Sequence, residues 1–288
     1  MIKVDIKKVC VIGAGVMGSG IAQVCAQSGY ATNIVDITDE ILKKGLENIK
    51  KSLSKFVEKG KIAQKDMDET LGRIKTTTSR EKGAKDVDLV IEAASEIIDI
   101  KKDIFSNLDK ICPEHTIFAS NTSTIPISLL GSVTRRQDKV IGIHFMNPVP
   151  LMRGVEVIKS IVTSEDTLNT SLKFVDSLGK ESVVVKDSPG FISNRIMTLF
   201  VNEAVKLYET GLSTIEDIDK MTRLSFNWPM GPFQLIDLIG IDIVHDMLES
   251  IYRETGWERY KPAPLLKRMK EVGWLGRKSN KGFYDYSK

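Results

Sequence analysis

The most constraining feature of the sequence is the stretch at residues 9–18, where a short apolar run ends in Gly-x-Gly-x-x-Gly and a helical pattern follows. Gly13 permits a tight turn, Gly15 lets the backbone approach a pyrophosphate, and Gly18 lets the helix pack against the strand. The helix N-terminus adds unpaired N–H groups and a partial positive charge. The stretch therefore predicts a site for a nicotinamide or flavin dinucleotide. The cofactor-binding residues predicted here are Gly13, Gly15, Val16, Met17 and Gly18.

A second predicted strand, at residues 33–36, supports this interpretation because it ends in the acid Asp36. An acid about 20 residues after the last glycine is where such sites bind a ribose 2′-hydroxyl. Since a carboxylate repels a 2′-phosphate at the same place, Asp36 predicts NAD rather than NADP as the cofactor. The alternative is a purely structural strand–helix turn followed by a surface aspartate.

Size and composition narrow the class of protein. A chain of 288 residues suggests about two domains. The net charge of +3 is too small to indicate a nucleic-acid partner. No apolar run reaches the ~20 residues of a membrane span, and residues 1–8 lack the apolar stretch of a signal peptide. Three cysteines without Cys-x-x-Cys indicate neither a disulfide framework nor a zinc site. We therefore expect a cytoplasmic protein without a metal, a membrane or a nucleic-acid partner.

The order of the predicted elements indicates the fold class. Strand and helix signals alternate up to residue 186, which is typical of an α/β protein with a Rossmann-type doubly wound sheet. Beyond that point the patterns are helical. They include a capping box at residues 213–216 and one helical pattern at residues 235–252. We predict a dinucleotide-binding domain at residues 1–186 and an all-helical domain at residues 187–288.

Polar residues follow two of the predicted strands, where open α/β sheets bind their ligands. Residues 121–124 follow one strand, and His144 follows the next. Histidine suits proton transfer near neutral pH, so His144 is a candidate general acid/base, with a structural histidine as the alternative. Pro148 and Pro150 turn the chain back, which makes Glu156 the best candidate for a carboxylate on the other ring nitrogen. The alternative for Glu156 is an edge-strand surface acid.

A lysine-rich helical pattern lies at residues 41–59. Such a pattern usually marks a solvated face, but it could also receive an anionic, phosphate-bearing substrate. Sequence spacing leaves both interpretations open.

Several segments of the chain resemble the short-chain L-3-hydroxyacyl-CoA dehydrogenase family, and the resemblance covers essentially the whole sequence. The His-Phe-x-Asn-Pro and Asp-x-Pro-Gly-Phe segments, in this order, make it specific. The matching segments are residues 13–18, 120–123, 144–152, 155–158, 186–191, 194–195, 229–233 and 282–284.

The resemblance implies an NAD-dependent enzyme that interconverts (S)-3-hydroxybutyryl-CoA and acetoacetyl-CoA. His144 would be the general acid/base, and Glu156 would orient it. Ser123 and Asn194 would hold the substrate oxygen, in a cleft between the two domains. The resemblance further implies cofactor contacts at Glu96, Lys101, Ser123, Asn147 and Lys278, and coenzyme A contacts at Ser52, Lys59, Ser123 and Asn194.

The resemblance also implies a homodimer, or a higher even oligomer, built on residues 187–288. The helices there carry more apolar residues than one core face needs. These residues include Leu199, Phe200, Val201, Leu235, Ile236, Leu238, Ile239, Ile241 and Ile243.

Two other functions stay open. A structural protein is possible in principle because a lens crystallin resembles this family, and a β-hydroxyacid dehydrogenase shares the general plan. We would expect the latter to use a catalytic lysine instead of a His–Glu pair.

Overall fold

The computed structural model describes residues 5–287, so the expectation for the first residues of the chain lies partly outside it. The chain divides into two compact units, of which the first ends at Asp187 and the second begins at Ser188. Among the described residues, no helix is both long and apolar enough to cross a membrane.

The first unit contains one mostly parallel sheet in the order β3-β2-β1-β4-β5-β6-β7-β8. Among the described strands, the β6–β7 pair alone is antiparallel. This topology confirms the predicted Rossmann-type fold class. The strand order reverses between β1 and β4, which is where doubly wound sheets bind their ligands. The strands are β1 (Lys8–Ile12), β2 (Ala31–Val35), β3 (Ile74–Thr77), β4 (Leu89–Glu92), β5 (Ile117–Ser120), β6 (Val140–Phe145), β7 (Gly154–Lys159) and β8 (Glu181–Lys186).

Helices cover the sheet, and the alternation of side chains along each strand decides which residues face which layer. The odd-numbered apolar residues of β1, β4, β5, β6 and β7 share one core with residues of α1, α2, α3 and α7. The even-numbered residues point to the opposite face. There the carboxyl ends of three neighbouring strands carry the polar side chains of Glu92, Ser120 and His144. The helices of this unit are α1 (Val16–Gln27), α2 (Asp39–Glu58), α3 (Gln64–Gly72), α4 (Arg80–Ala84), α5 (Ile98–Ile111), α6 (Ile127–Gly131) and α7 (Glu165–Ser177).

The second unit is helical in its described part and has its own apolar core. The pattern at residues 235–252 is two helices, because Gly240 adopts φ 112° and ends the first of them. The predicted capping box is also shifted by one residue. Thr214, not Ser213, accepts the N-terminal hydrogen bond, from the backbone N–H of Asp217 at 3.1 Å. The helices are α8 (Ser193–Glu209), α9 (Ile215–Phe226), α10 (Pro232–Ile239), α11 (Ile241–Thr255) and α12 (Pro264–Glu271).

Candidate active site

The glycine turn after β1 has the geometry that a dinucleotide needs. Gly13 adopts φ 107°, and a Cβ there would lie 2.6 Å from the carbonyl oxygen of Ala93. A Cβ on Gly18 would collide with the carbonyl oxygen of Gly13. A Cβ on Gly15, by contrast, would have no neighbour within 4 Å, so open space lies where a pyrophosphate would approach. Helix α1 starts beside this space without a side-chain cap, and its first N–H groups suit an anion.

A cavity of about 350 Å³ adjoins the glycine turn and includes Asp36 in its wall. The Asp36 carboxylate accepts hydrogen bonds from the backbone N–H of Ala14 at 2.6 Å and of Ile37 at 2.7 Å. The cavity, the open space at the turn and the acid together fit a dinucleotide. Thr78 and Arg80 line the same cavity and were missed by the sequence analysis, since they follow the unpredicted strand β3.

His144 lies between a carboxylate and a hydroxyl. His144 and Glu156 are register partners across β6 and β7, and Nδ1 of the ring lies 2.7 Å from Glu156 Oε2. The other ring nitrogen, Nε2, lies 3.0 Å from the Ser123 hydroxyl. His144 and Glu156 are each 5% exposed. Three of the four predicted catalytic residues, Ser123, His144 and Glu156, therefore lie together in the first unit.

The loop that carries Ser123 is held by Glu96. This carboxylate accepts hydrogen bonds from the backbone N–H groups of Ser123 at 2.9 Å and Thr124 at 3.1 Å, and from the Thr122 hydroxyl. Burial raises the pKa of Glu96, but the Lys101 charge and these hydrogen bonds outweigh it and leave the pKa below its ordinary value. Lys101 is 1% exposed, and its ammonium lies 2.7 Å from Glu92 and 3.2 Å from Glu96.

Ser52 and Lys59, the predicted coenzyme A contacts on and just after α2, line a second cavity of about 320 Å³. Its wall combines the apolar side chains of Phe56 and Leu151 with several lysines. The lysine pattern therefore divides into a part that faces a cavity and a part that does not. The cavity-lining lysines are Lys51, Lys55, Lys59 and Lys61.

The remaining predicted site residues lie in a turn of the first unit and in the second unit. Asn147 follows β6 and precedes a cis peptide bond to Pro148. Asn194 lies in the first turn of α8, where its carbonyl oxygen accepts a hydrogen bond from the Thr198 hydroxyl at 2.6 Å. The Lys278 ammonium lies 2.6 Å from the Asp242 carboxylate within the same unit.

A doubly wound sheet with a glycine turn at its switch point and an acid after the second strand is typical of nicotinamide-dependent oxidoreductases. Comparison with known families gives the particular class. A family model described as "3-hydroxyacyl-CoA dehydrogenase, NAD binding domain" matches residues 8–188. A second, described as "3-hydroxyacyl-CoA dehydrogenase, C-terminal domain", matches residues 190–286. The chain belongs to the 3-hydroxyacyl-CoA dehydrogenase family, and its cofactor is NAD.

Similar proteins extend over nearly the full chain. A probable 3-hydroxybutyryl-CoA dehydrogenase of Bacillus subtilis is 43% identical and covers 98% of each chain. The 3-hydroxybutyryl-CoA dehydrogenase of Clostridioides difficile is 45% identical, over 98% of this chain and 100% of its own. The crystal structure of (S)-3-hydroxybutyryl-CoA dehydrogenase from Ralstonia eutropha matches with a TM-score of 0.95 at 42% identity, over 99% of this chain and 100% of that one.

Proposed function

We propose that this NAD-dependent dehydrogenase interconverts (S)-3-hydroxybutyryl-CoA and acetoacetyl-CoA, with His144 and Glu156 as its acid/base pair. The observation that carries the proposal is the position of the imidazole between the Glu156 carboxylate and the Ser123 hydroxyl, at 2.7 Å and 3.0 Å. The names of the relatives from Clostridioides difficile and Ralstonia eutropha support the choice of substrate.

The proton chemistry follows from the two ring nitrogens of His144. Nδ1 faces Glu156, so Nε2 is the nitrogen that exchanges a proton with the substrate oxygen. In the reducing direction the imidazolium donates this proton to the developing alkoxide, and in the oxidising direction the neutral ring removes it from the hydroxyl. NAD, when bound, supplies the hydride acceptor or donor.

Glu156 has two tasks in this proposal. Its hydrogen bond to Nδ1 fixes the orientation of the ring, and its charge stabilises the imidazolium. Both residues are buried, so the carboxylate acts on the ring with little screening by water. Because the two side chains are already in place before the reaction, little reorganisation is needed when the charge develops.

Ser123 and Asn194 are proposed to hold the substrate oxygen. The Ser123 hydroxyl is already within hydrogen-bond distance of His144 Nε2, so an oxygen bound to it lies within reach of the proton. The proposed cofactor contacts are Gly13, Gly15, Val16, Met17, Gly18, Asp36, Glu96, Lys101, Ser123, Asn147 and Lys278. The proposed coenzyme A contacts are Ser52, Lys59, Ser123 and Asn194.

The test is the oxidation of NADH, followed by its absorbance, with acetoacetyl-CoA and with free acetoacetate in parallel. We expect turnover with the thioester and far less with the free acid. Equal turnover of both would identify a β-hydroxyacid dehydrogenase. No turnover of either would favour the structural role that a crystallin-like protein has.

A further inference from the structure

The buried Lys101 ammonium contacts two carboxylates, Glu92 and Glu96, that both hydrogen-bond to the loop carrying Ser123. The Lys101 ammonium lies 2.7 Å from Glu92 Oε1, 3.2 Å from Glu96 Oε2 and 3.3 Å from the carbonyl oxygen of Ala94. Lys101 is 1% exposed and Glu92 is fully buried. An ammonium carries three hydrogens, and each of them has a protein acceptor here. Lys101 therefore has its hydrogen-bonding capacity used within the protein.

The two carboxylates hold the two ends of one short loop. Glu92 accepts a hydrogen bond from the Ser120 hydroxyl at 2.6 Å, and this hydroxyl in turn accepts one from the backbone N–H of Thr122 at 3.2 Å. Glu96 accepts hydrogen bonds from the backbone N–H groups of Ser123 and Thr124. The loop at residues 120–124 begins at the end of β5 and carries the Ser123 hydroxyl. Glu92 holds one end of this loop, and Glu96 holds the other.

The positive charge of Lys101 allows the Glu92 and Glu96 carboxylates to lie close together. Glu92 and Glu96 approach the same small region, and without a cation between them their negative charges would repel each other. A buried charge is tolerated when it is paired and hydrogen-bonded, as Lys101 is. A neutral side chain at position 101 would raise the pKa of Glu96, because the Lys101 charge is a principal cause of its lowered value. A protonated Glu96 would then accept hydrogen bonds from these N–H and O–H groups more weakly.

We infer that Lys101 and Glu92 are positioning residues for the reaction, acting through Glu96 and the loop at residues 120–124 to set the Ser123 hydroxyl against His144. This inference rests on the proposed function and deepens it. It adds an indirect role to the cofactor contact proposed for Lys101, and it gives a role to Glu92, which no sequence motif had singled out.

The experiment compares Lys101→Met with Lys101→Arg and Lys110→Met. Methionine keeps much of the length of the side chain but removes the charge, whereas arginine keeps the charge. Lys110 is an exposed lysine on the same helix, α5, and serves as the matched control. For each variant we would measure kcat with saturating NADH and acetoacetyl-CoA, the Kd of NADH from protein fluorescence, and the pH dependence of kcat.

Misplacement of a reacting group by about 1 Å costs about 10²-fold in rate, so we expect Lys101→Met to lower kcat by roughly 10- to 100-fold. This loss should persist at saturating NADH, so it is separate from any change in the Kd of NADH. We expect Lys101→Arg to recover part of the rate, and Lys110→Met to behave like the wild type. In Lys101→Met, kcat should also fall as the pH is lowered, because Glu96 takes up a proton at a higher pH than before.

A raised Kd for NADH with a normal kcat at saturation would mean that Lys101 acts only by binding the cofactor, and the inference would be wrong. A loss of kcat that is equal at every pH and not relieved by arginine would indicate a folding defect only, and would also overturn it. Wild-type protein that fails to oxidise NADH with acetoacetyl-CoA would contradict the proposed function itself. The two failures are therefore distinguishable.

Discussion

His144 and Glu156 lie opposite each other in the antiparallel pair formed by β6 and β7, with Nδ1 and Oε2 2.7 Å apart. The contact is set by backbone register, because opposed residues of paired strands bring their side chains to the same face. Neither side chain depends on a flexible loop for its position. A slip of register by one residue would turn Glu156 to the other face and break the pair.

The first prediction concerns the choice between NADH and NADPH. The Asp36 carboxylate lines the cavity beside the glycine turn, and the cation in the same wall, Arg80, is paired with Asp103 at 2.7 Å. We expect kcat/KM to be higher with NADH than with NADPH. Asp36→Asn keeps an acceptor for Ala14 but removes the charge, so it should reduce this preference by about tenfold or more, equivalent to about 1.4 kcal/mol.

Steady-state kinetics with both cofactors check this prediction. The exposed acid Asp39, three residues later in α2, provides the control variant Asp39→Asn, which should keep the wild-type preference. A wild-type enzyme that works better with NADPH would contradict the assignment of Asp36.

The second prediction concerns the lysines that line the cavity beside α2. We expect Lys59→Ala to raise the KM for acetoacetyl-CoA by about two- to fivefold, because an exposed ion pair contributes up to about 1 kcal/mol. The KM for NADH should stay nearly unchanged. The effect should weaken as salt is added, because exposed charges are screened beyond ~8–10 Å. Lys43→Ala is the control, since Lys43 is an exposed residue of the same helix that is absent from the described cavity wall. An unaltered KM for acetoacetyl-CoA in Lys59→Ala would mean that these lysines form only a solvated face.

The third prediction concerns acid stability. Asp109 accepts hydrogen bonds from Nε of Arg135 at 2.9 Å and Nε of Arg136 at 2.8 Å. Burial raises the pKa of Asp109, but these hydrogen bonds outweigh it and leave the pKa below its ordinary value. A carboxyl with a lowered folded-state pKa stabilises the fold above its unfolded pKa of about 3.9, and this contribution is lost as the pH falls through the folded value.

Denaturant unfolding at several pH values measures this contribution. Asp109→Asn should lower the free energy of unfolding by about 3 kcal/mol at pH 7, because it leaves the mostly buried Arg136 without its charge partner. The difference from the wild type should shrink below about pH 4. Asp103→Asn, an exposed acid of the same helix, should cost less than about 1 kcal/mol. A pH-independent difference for Asp109→Asn would contradict the charge-based explanation.

The fourth prediction is that the protein forms a homodimer, or a higher even oligomer, through the second unit. Three of the apolar residues that the sequence assigned to this interface, Val201, Ile236 and Ile241, are instead buried in the core of the second unit itself. Exposed apolar residues of α9 support the interface, since Leu224 is 72% exposed and Met221 is 65% exposed. Exposed apolar surface of this kind is typical of an interaction site.

Light scattering at micromolar concentration should give at least twice the mass of one 32.1 kDa chain. Leu224→Arg should lower that mass, whereas Ile161→Arg, at an exposed apolar position of the first unit, should not. The mass of a single chain for the wild type would refute the prediction.

Much of the architecture could be predicted because its signals are local. The glycine turn, the nearly continuous apolar strands and the proline-rich turn before Glu156 each indicate one element or one pairing. By contrast, β3 and the helices α3, α4 and α6 were not predicted. The edge strand β3 is short and carries Lys75 and Thr76 at exposed positions, so it lacks the apolar run that identifies a buried strand.

The contacts that arise only in three dimensions could not be predicted in the same way. Glu92 is a charged residue at the end of an apolar strand, which was a usable signal, but its partner Lys101 is identified only once α5 is placed against β4. Likewise, the break at Gly240 depends on a φ of 112°, which a continuous helical pattern conceals. Periodicity indicates which residues are buried, whereas it gives little information on how long charged side chains pair.

The central claim is tested most directly by reductive kcat in the wild type, His144→Gln and Glu156→Gln, with NADH and acetoacetyl-CoA saturating. His144→Gln should lower kcat by about 10²–10⁴-fold. Glu156→Gln should lower kcat and leave NADH binding nearly intact, because the imidazolium loses its stabilising charge. The double variant should lose little more than His144→Gln alone. Near wild-type kcat in His144→Gln would contradict the proposed proton route.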